Sequence, residues 1–328
     1  MTDRGLVDLI IGRIPRLTPA ERVRICTHCN QEADLWGLSK RAMEGLVGRS
    51  LQYPWNRDAL HAQAEQDAMV ARMRGISYVS YVSPQYPPLL REIYDPPAIL
   101  FYRGKLPNPE LPIVGIVGTR HPSSGALTQA YDIAKALAYA GIPVIAGLAI
   151  GIDAMAHRGN SDGGAPTIAV LGSGLDEVYP AGNRLLARRI IEQGGALLSE
   201  YPPGTSPRKW HFPARNRIIS ALARGTVIVE APESSGALIT ARFALEQGRD
   251  LWVASAGLVA PQGAGTRKLA SEGAPVISNA GDILKEWGIT QKEAPRTRSD
   301  PGSAEGEFSV SALASSLARS LNIAGEDW

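Results

Sequence analysis

Apolar positions along the chain change their spacing twice. Up to about residue 75 they recur with helical period. Leu6, Leu9, Ile10 and Ile14 share one face, Thr18-Pro19 has the form of a helix start, and Leu60 to Arg74 is Ala- and Met-rich. From Gly75 the texture is extended: Ile76 to Val82, then Tyr86-Pro87-Pro88, then Ala98 to Tyr102, interrupted at Asp95-Pro96-Pro97. Beyond residue 105 a regular alternation sets in. Short apolar runs at Ile113–Val117, Pro143–Ala146, Thr167–Leu171, Ala196–Ser199, Thr226–Glu230, Leu251–Ala254 and Pro275–Ile277 read as buried strands. Helical patterns such as Leu127–Tyr139 and Leu238–Gln247 lie between most of them. That alternation predicts an α/β fold, a doubly wound Rossmann-like parallel sheet covered on both faces. The expected organisation is a small N-terminal helical domain over 1–75, an extended connecting segment over 76–104 and the Rossmann-like domain over 105–289. From Thr290 the run KEAPRTRSDPGSAEGE has linker composition, and Phe308 to Ile323 is long enough for one further helix.

Composition narrows the class. A chain of 328 residues fits two domains, and 44% hydrophobic with 20% charged residues is globular. No run approaches the ~18 apolar residues of a membrane span. The start, MTDRGLVDLIIGRIPRL, lacks a signal-peptide core and cleavage site, and Cys26 and Cys29 cannot form a disulfide framework, so a cytoplasmic location is expected. The net charge of +2 is uninformative, but its distribution is not. Tyr201 to Val229 holds Arg208, Lys209, Arg215, Arg217 and Arg224 without one Asp or Glu, a local field that favours a polyanion.

Glycine clusters fall where strands end: GIVGTR (Gly115–Arg120), AGLAIGID (Ala146–Asp153), LGSG (Leu171–Gly174) and EAPESSG (Glu230–Gly236). Glycines let backbone amides approach an anion, and a helix N-terminus adds unpaired N–H groups. Ligands of such sheets gather at the carboxyl ends of the strands. Four such turns on one edge suggest a phosphate-rich ligand longer than one nucleotide. Several chemistries are disfavoured. The dinucleotide spacing G-x-G-x-x-G, the phosphate loop G-x-x-x-x-G-K-[ST] and the H-E-x-x-H pair are absent from the sequence. Asp153 and His157 stand four apart and look catalytic, but an N-terminal acid with a helix-surface histidine is the commoner meaning. Cys26, His28 and Cys29 lack the second pair that structural zinc needs. No cofactor is expected.

The segment Arg208 to Arg217 (RKWHFPARNR) interleaves cations with Trp210 and Phe212. Single-stranded nucleic acid is held in this way, by charges on phosphates and rings on splayed bases. The same two rings could equally anchor a helix start in the core.

In the stretches GISYVSYVSPQYPPLLREIYDPPAILFYRG, IVGTR, IAGLAIGIDAMAH, IAVLGSGLDEVYPAGN, LLSEYPPGTSPRKWHFPARNRIIS and VIVEAPESSGALITARFALEQGRD the chain resembles the DNA-processing protein A (DprA, or Smf) family. The resemblance covers roughly 75–255. It implies a non-enzymatic protein that binds incoming single-stranded DNA in natural transformation, protects it and loads the RecA recombinase. It also implies an N-terminal SAM-like domain and a C-terminal winged helix that is missing or cut to a remnant. Carried over residue by residue, the DNA-binding positions are Gly118, Thr119 and Arg120 of the GTR turn, then Lys209, Phe212, Arg215 and Asn216. Ser235 and Gly236 join them on physical grounds, as the start of a helix facing the same edge. The resemblance further implies a homodimer formed at the end of the Rossmann region, with Leu269 as the apolar anchor. There the chain departs from the family pattern, reading Val253-Ala-Ser-Ala-Gly257 and Gly265-Thr-Arg-Lys-Leu-Ala270. The competing enzyme reading is a Rossmann-like nucleoside monophosphate glycosidase (a phosphoribohydrolase). It requires a P-G-G-x-G-T turn, where this chain has Glu233-Ser-Ser-Gly-Ala237.

Overall fold

In the computed structural model, residues 3–52 and 55–289 are described. The stretch from Thr290, with the expected linker and helix, lies outside them. Five helices come first: α1 (Asp3–Arg13), α2 (Pro19–His28), α3 (Glu32–Gly37), α4 (Lys40–Val47) and α5 (Arg57–Met73). The helix start read at Thr18 is a capping box: the Thr18 hydroxyl accepts from the Glu21 amide, and the Glu21 carboxylate accepts from the Thr18 amide. There follow β1 (Ser77–Ser80), α6 (Pro88–Arg91), β2 (Ile99–Gly104), β3 (Val114–Val117), α7 (Ser124–Tyr139), β4 (Val144–Ala146), α8 (Ile152–Asp162) and β5 (Ile168–Val170). The chain continues through α9 (Arg184–Glu192), β6 (Ala196–Ser199), α10 (His211–Leu222), β7 (Gly225–Ile228), α11 (Gly236–Glu246) and β8 (Asp250–Ala254). It closes with α12 (Ser255–Val259), α13 (Ala264–Ser271), β9 (Val276–Ile277) and α14 (Ala280–Glu286).

The nine strands among the described residues form one sheet in the order β1-β2-β6-β5-β4-β3-β7-β8-β9. The seven runs read as buried strands are its strands β3 to β9. The extended pieces expected within the connecting segment are strands of the same sheet. That segment supplies β1 and β2, and β2 pairs antiparallel with both β1 and β6, while β3 to β9 pair parallel. The reason is burial: Leu100 and Phe101 point to opposite faces of β2 and are both buried, so this strand needs cover on both sides.

Alternate residues feed the two faces. Leu197 of β6, Phe101 of β2 and Ala169 of β5 pack with α1, α5 and α9, so the N-terminal helices share a core with the sheet. Val114, Ile116, Val227 and Trp252 pack with α7 and α14. Leu198, Val170, Ile228 and Val253 pack with α10 and α11 on the other face. Strand order reverses between β3 and β7, and the switch point of this doubly wound sheet therefore lies at their carboxyl ends.

Candidate nucleic-acid interface

Three of the glycine turns meet at the switch point. Past β3, the Thr119 amide donates to Glu230 O at 2.7 Å, and Thr119 O accepts from the Ile152 amide at 3.4 Å. Three separate loops are thereby locked together. The closeness explains Gly151: its φ is +84°, and a Cβ would lie 2.5 Å from Thr119 O. Glu230 is tied up as well, its carboxylate accepting from the Ser123 amide and hydroxyl, both at 2.8 Å, at the start of α7. The exposed Arg120 side chain emerges from this knot.

Helix α10 then lies across the carboxyl ends of β4 and β5 and presents a different residue type in each direction. His211 is buried with Nδ1 2.9 Å from Gly172 O, and it stacks on Tyr201 at 4.0 Å between ring centroids. Burial holds the His211 imidazole below its ordinary pKa. Phe212 is half-buried against Gly172. Its ring meets Tyr179 at 5.8 Å and the Arg120 guanidinium at 5.6 Å, a cation–π distance. Lys209 and Arg208 are exposed in the turn before the helix. Trp210 is turned away from Phe212 and is 64% exposed.

Several expected contacts are placed otherwise. Arg215 is not on the surface. Its side chain runs under Gly147, where a Cβ would strike the guanidinium, and it donates to Val170 O. Burial lowers its pKa to about 10, partly offset by Asp153, so it stays charged at neutral pH beneath the edge rather than on it. Arg217 is buried too, donating through both terminal nitrogens to Glu200 at 2.7 Å each. Burial opposes its charge, and Glu200 outweighs that and raises its pKa. Arg224 lies at the amino end of β7, stacked on Trp287 at 4.5 Å. The acid-free run is therefore no single basic patch, because its counter-charges come from Glu200 and Asp153, outside the run. At the crevice it contributes only Arg208 and Lys209. Asn216 reaches Gly236 O at 3.1 Å, and Ser235 caps α11 through the Ala237 amide at 3.2 Å, so these three residues form one contiguous loop–helix contact. Gly118 and Thr119 serve as backbone: a side chain at 118 would strike Ile152, and Thr119 is buried.

Asp153 and His157 do not form a dyad. Asp153 accepts from the Gly147 and Ala149 amides at 2.9 and 3.4 Å, holding the second glycine turn, and burial raises its pKa. The hydroxyl proton of Thr167 goes to Val144 O, so His157 Nδ1 carries the hydrogen that bridges 2.8 Å to Thr167 Oγ1. Burial lowers the His157 pKa to about 3. Cys26 and Cys29 are buried, and burial raises both thiols, Cys29 to about 11. Among the described residues no group of three His, Cys, Asp or Glu could hold a metal, and no helix is long and apolar enough to cross a membrane. Leu269 is half-buried against the core cluster that contains α10 and α11, so only part of it faces outward. Sequence reasoning missed Tyr179, which completes the ring cluster. The only signal was a single aromatic residue in the polar turn after β5.

These features define a Rossmann-like α/β protein with a ring-lined crevice, edged by exposed cations, at its switch point. The chain belongs to the DNA recombination-mediator protein A family, whose model matches residues 77–288. It is 42% identical over 216 residues to the DNA processing protein DprA of Bacillus subtilis, spanning 66% of this chain and 72% of that one. The structure of DNA processing protein A from Streptococcus pneumoniae superposes with a TM-score of 0.70 at 31% identity, covering 87% of this chain and 98% of the other. That of Helicobacter pylori, described for its single-stranded DNA binding mode, superposes with a TM-score of 0.58 at 29% identity, over 65% and 95% of the two chains.

Proposed function

We propose that this chain binds single-stranded DNA without sequence preference, shields it and hands it to the RecA recombinase during DNA uptake in natural transformation and in recombination. The observation that carries the reading is the Arg120–Phe212–Tyr179 cluster at the switch point: a cation and two rings in contact, half open to solvent, beside exposed Arg208 and Lys209. Phosphate contacts and base stacking carry no sequence code, and rings are useful only where bases are unpaired. Gly118 and Thr119 shape the turn that presents Arg120. Arg215 acts as a positioning residue under the same edge, and Asn216, Ser235 and Gly236 extend the surface toward α11. The protein works in the cytoplasm as a homodimer through the face that carries Leu269. No cofactor or catalytic step enters this reading. The glycosidase alternative finds no support, since Asp153 and Glu230 are both occupied by loop and cap hydrogen bonds. The test is a gel-shift titration with single- and double-stranded oligonucleotides at several salt concentrations. Tighter binding to the single strand, weakening with salt, is expected; equal affinity for duplex, or indifference to salt, refutes the reading.

A further inference from the structure

A cleft of about 840 Å³ opens on the other side of the α10 start, between the start of α2, the loop over 92–95 and helices α10 and α11. The rings of Tyr94, Tyr201, Trp210 and Phe243 line it with the His211 imidazole, and Tyr94 is 97% exposed. Aromatic side chains so open to water, gathered at one cleft, mark a surface made for contact. The charges here nearly balance, unlike those at the crevice. The wall sets Arg22, Arg217 and Arg249 against Glu92, Asp95, Glu200 and Glu246, with Arg217 paired to Glu200 and Asp95 and Arg249 to Glu92. Such a cleft disfavours phosphate and favours a flat, uncharged ring. Phosphate binding belongs to the turn just outside, where Arg208 sits 5.4 Å from the Trp210 ring and the N-terminus of α10 begins.

Helix geometry connects the two sites. Residues two apart on a helix point roughly 200° apart, so Phe212 faces the crevice while Trp210 faces the cleft. A strand crossing the start of α10 meets a ring on each side, with cations between them. We propose that the cleft is a second nucleobase subsite, in which a base of the same single strand stacks on Trp210 with Tyr94 on the opposite lip. This rests on the single-stranded DNA reading above and extends the path of the strand beyond the crevice.

The two sites separate by oligonucleotide length. Oligothymidylates from about 4 to about 16 nucleotides are titrated against the full chain and its variants. Trp210→Ala is expected to bind the shortest oligonucleotides like the wild type and to lose roughly 5- to 150-fold on the longest, the worth of one base–aromatic stack. Trp210→Phe should recover most of that loss, and Tyr94→Ala should reproduce its length dependence. Melting curves matching the wild type establish folding, and the exposure of Tyr94 keeps the test open if Trp210→Ala is unstable. The proposal falls if Trp210→Ala and Tyr94→Ala bind the longest oligonucleotide as tightly as the wild type. It falls equally if they weaken the shortest and longest by the same factor, since that makes the cleft part of the crevice. Arg120→Ala distinguishes the underlying reading: it should weaken every length. If it does so while the cleft variants change nothing, only the second subsite is lost; if the wild type binds no oligonucleotide, both readings fail.

Discussion

Replacing Arg215 by alanine separates a residue that touches DNA from one that holds the surface DNA touches. Arg215 is 5% exposed, lies under Gly147, donates to Val170 O and sits within electrostatic reach of Asp153. Truncation leaves an unpaired strand-end carbonyl, a buried carboxylate without its cation and a void the length of an arginine stem. Leaving a buried acceptor without its donor costs about 1–3 kcal/mol, and the void adds to it. At about 2–4 °C per kcal/mol, the melting temperature should fall by at least about 2–12 °C. Gly147→Ala, whose methyl group would push into the same guanidinium, should shift it in the same direction. Arg120→Ala should instead leave the melting temperature within about 2 °C, because exposed substitutions fall within about 0.5 kcal/mol, while weakening DNA binding. Differential scanning calorimetry with a gel-shift titration reads both quantities. If Arg215→Ala melts like the wild type yet loses DNA, Arg215 contacts the strand directly, and the buried placement and the reasoning built on it are wrong.

Phe212→Ala should lose roughly 5- to 150-fold in single-stranded DNA affinity, with a modest drop in melting temperature because the ring is only half-buried; a fold-destroying effect would make it a core anchor instead. Three exposed cations at most (Arg120, Arg208 and Lys209) edge the crevice, so the slope of log affinity against log salt should be no steeper than about −2 per protomer; a slope near about −3.5 would mean the buried Arg215 and Arg217 also meet phosphate. Between pH 6.5 and about 3 the unfolded chain takes up a proton that buried His157 refuses. Its contribution to stability is thus intact above pH 6.5 and lost on acidification at up to about 1.4 kcal/mol per pH unit, and His157→Gln should flatten urea-denaturation midpoints across that window. Leu269→Arg should shift the mass seen by light scattering from dimer to monomer across a dilution series; a dimer that persists puts the interface elsewhere.

Periodicity made the parallel sheet and its seven strands legible, because a strand buried on both faces is a continuous apolar run and a covering helix is not. It showed the extended pieces over 76–82 and 98–102 but not their place in the sheet, because the pairing of β2 with β6 joins residues nearly a hundred apart in sequence. The GTR turn and the RKWHFPARNR segment, picked out separately in the sequence, come together through Arg120 and Phe212. Their cations could not be sorted, however, because charge along a chain says nothing of what arrives from elsewhere. Glu200 precedes the acid-free run by one residue yet neutralises Arg217, seventeen residues on. Tyr179 and the cleft under Trp210 stayed invisible for the same reason: each becomes a site only when separate loops converge.

The buried arginine has a further consequence for how a phosphate edge is built. The carboxyl ends of parallel strands carry rows of carbonyl oxygens, which repel an anion unless donors cover them. In this chain they are covered from inside: Arg215 takes Val170 O, His211 Nδ1 approaches Gly172 O, and Asn183 Nδ2 takes Leu148 O at 2.9 Å. The Gly147 and Ala149 amides are occupied in turn by Asp153, which lies within electrostatic reach of Arg215. The turns are thus fixed without help from a ligand, and the edge is left with few bare acceptors to oppose a phosphate. On the proposed reading, affinity then falls to the residues that project past it, Arg120 and Phe212 above all. Substitutions beneath the edge should therefore cost stability first and binding second, and substitutions on it the reverse. That order of effects, measured on one set of variants, distinguishes a preorganised surface from one that forms around the strand.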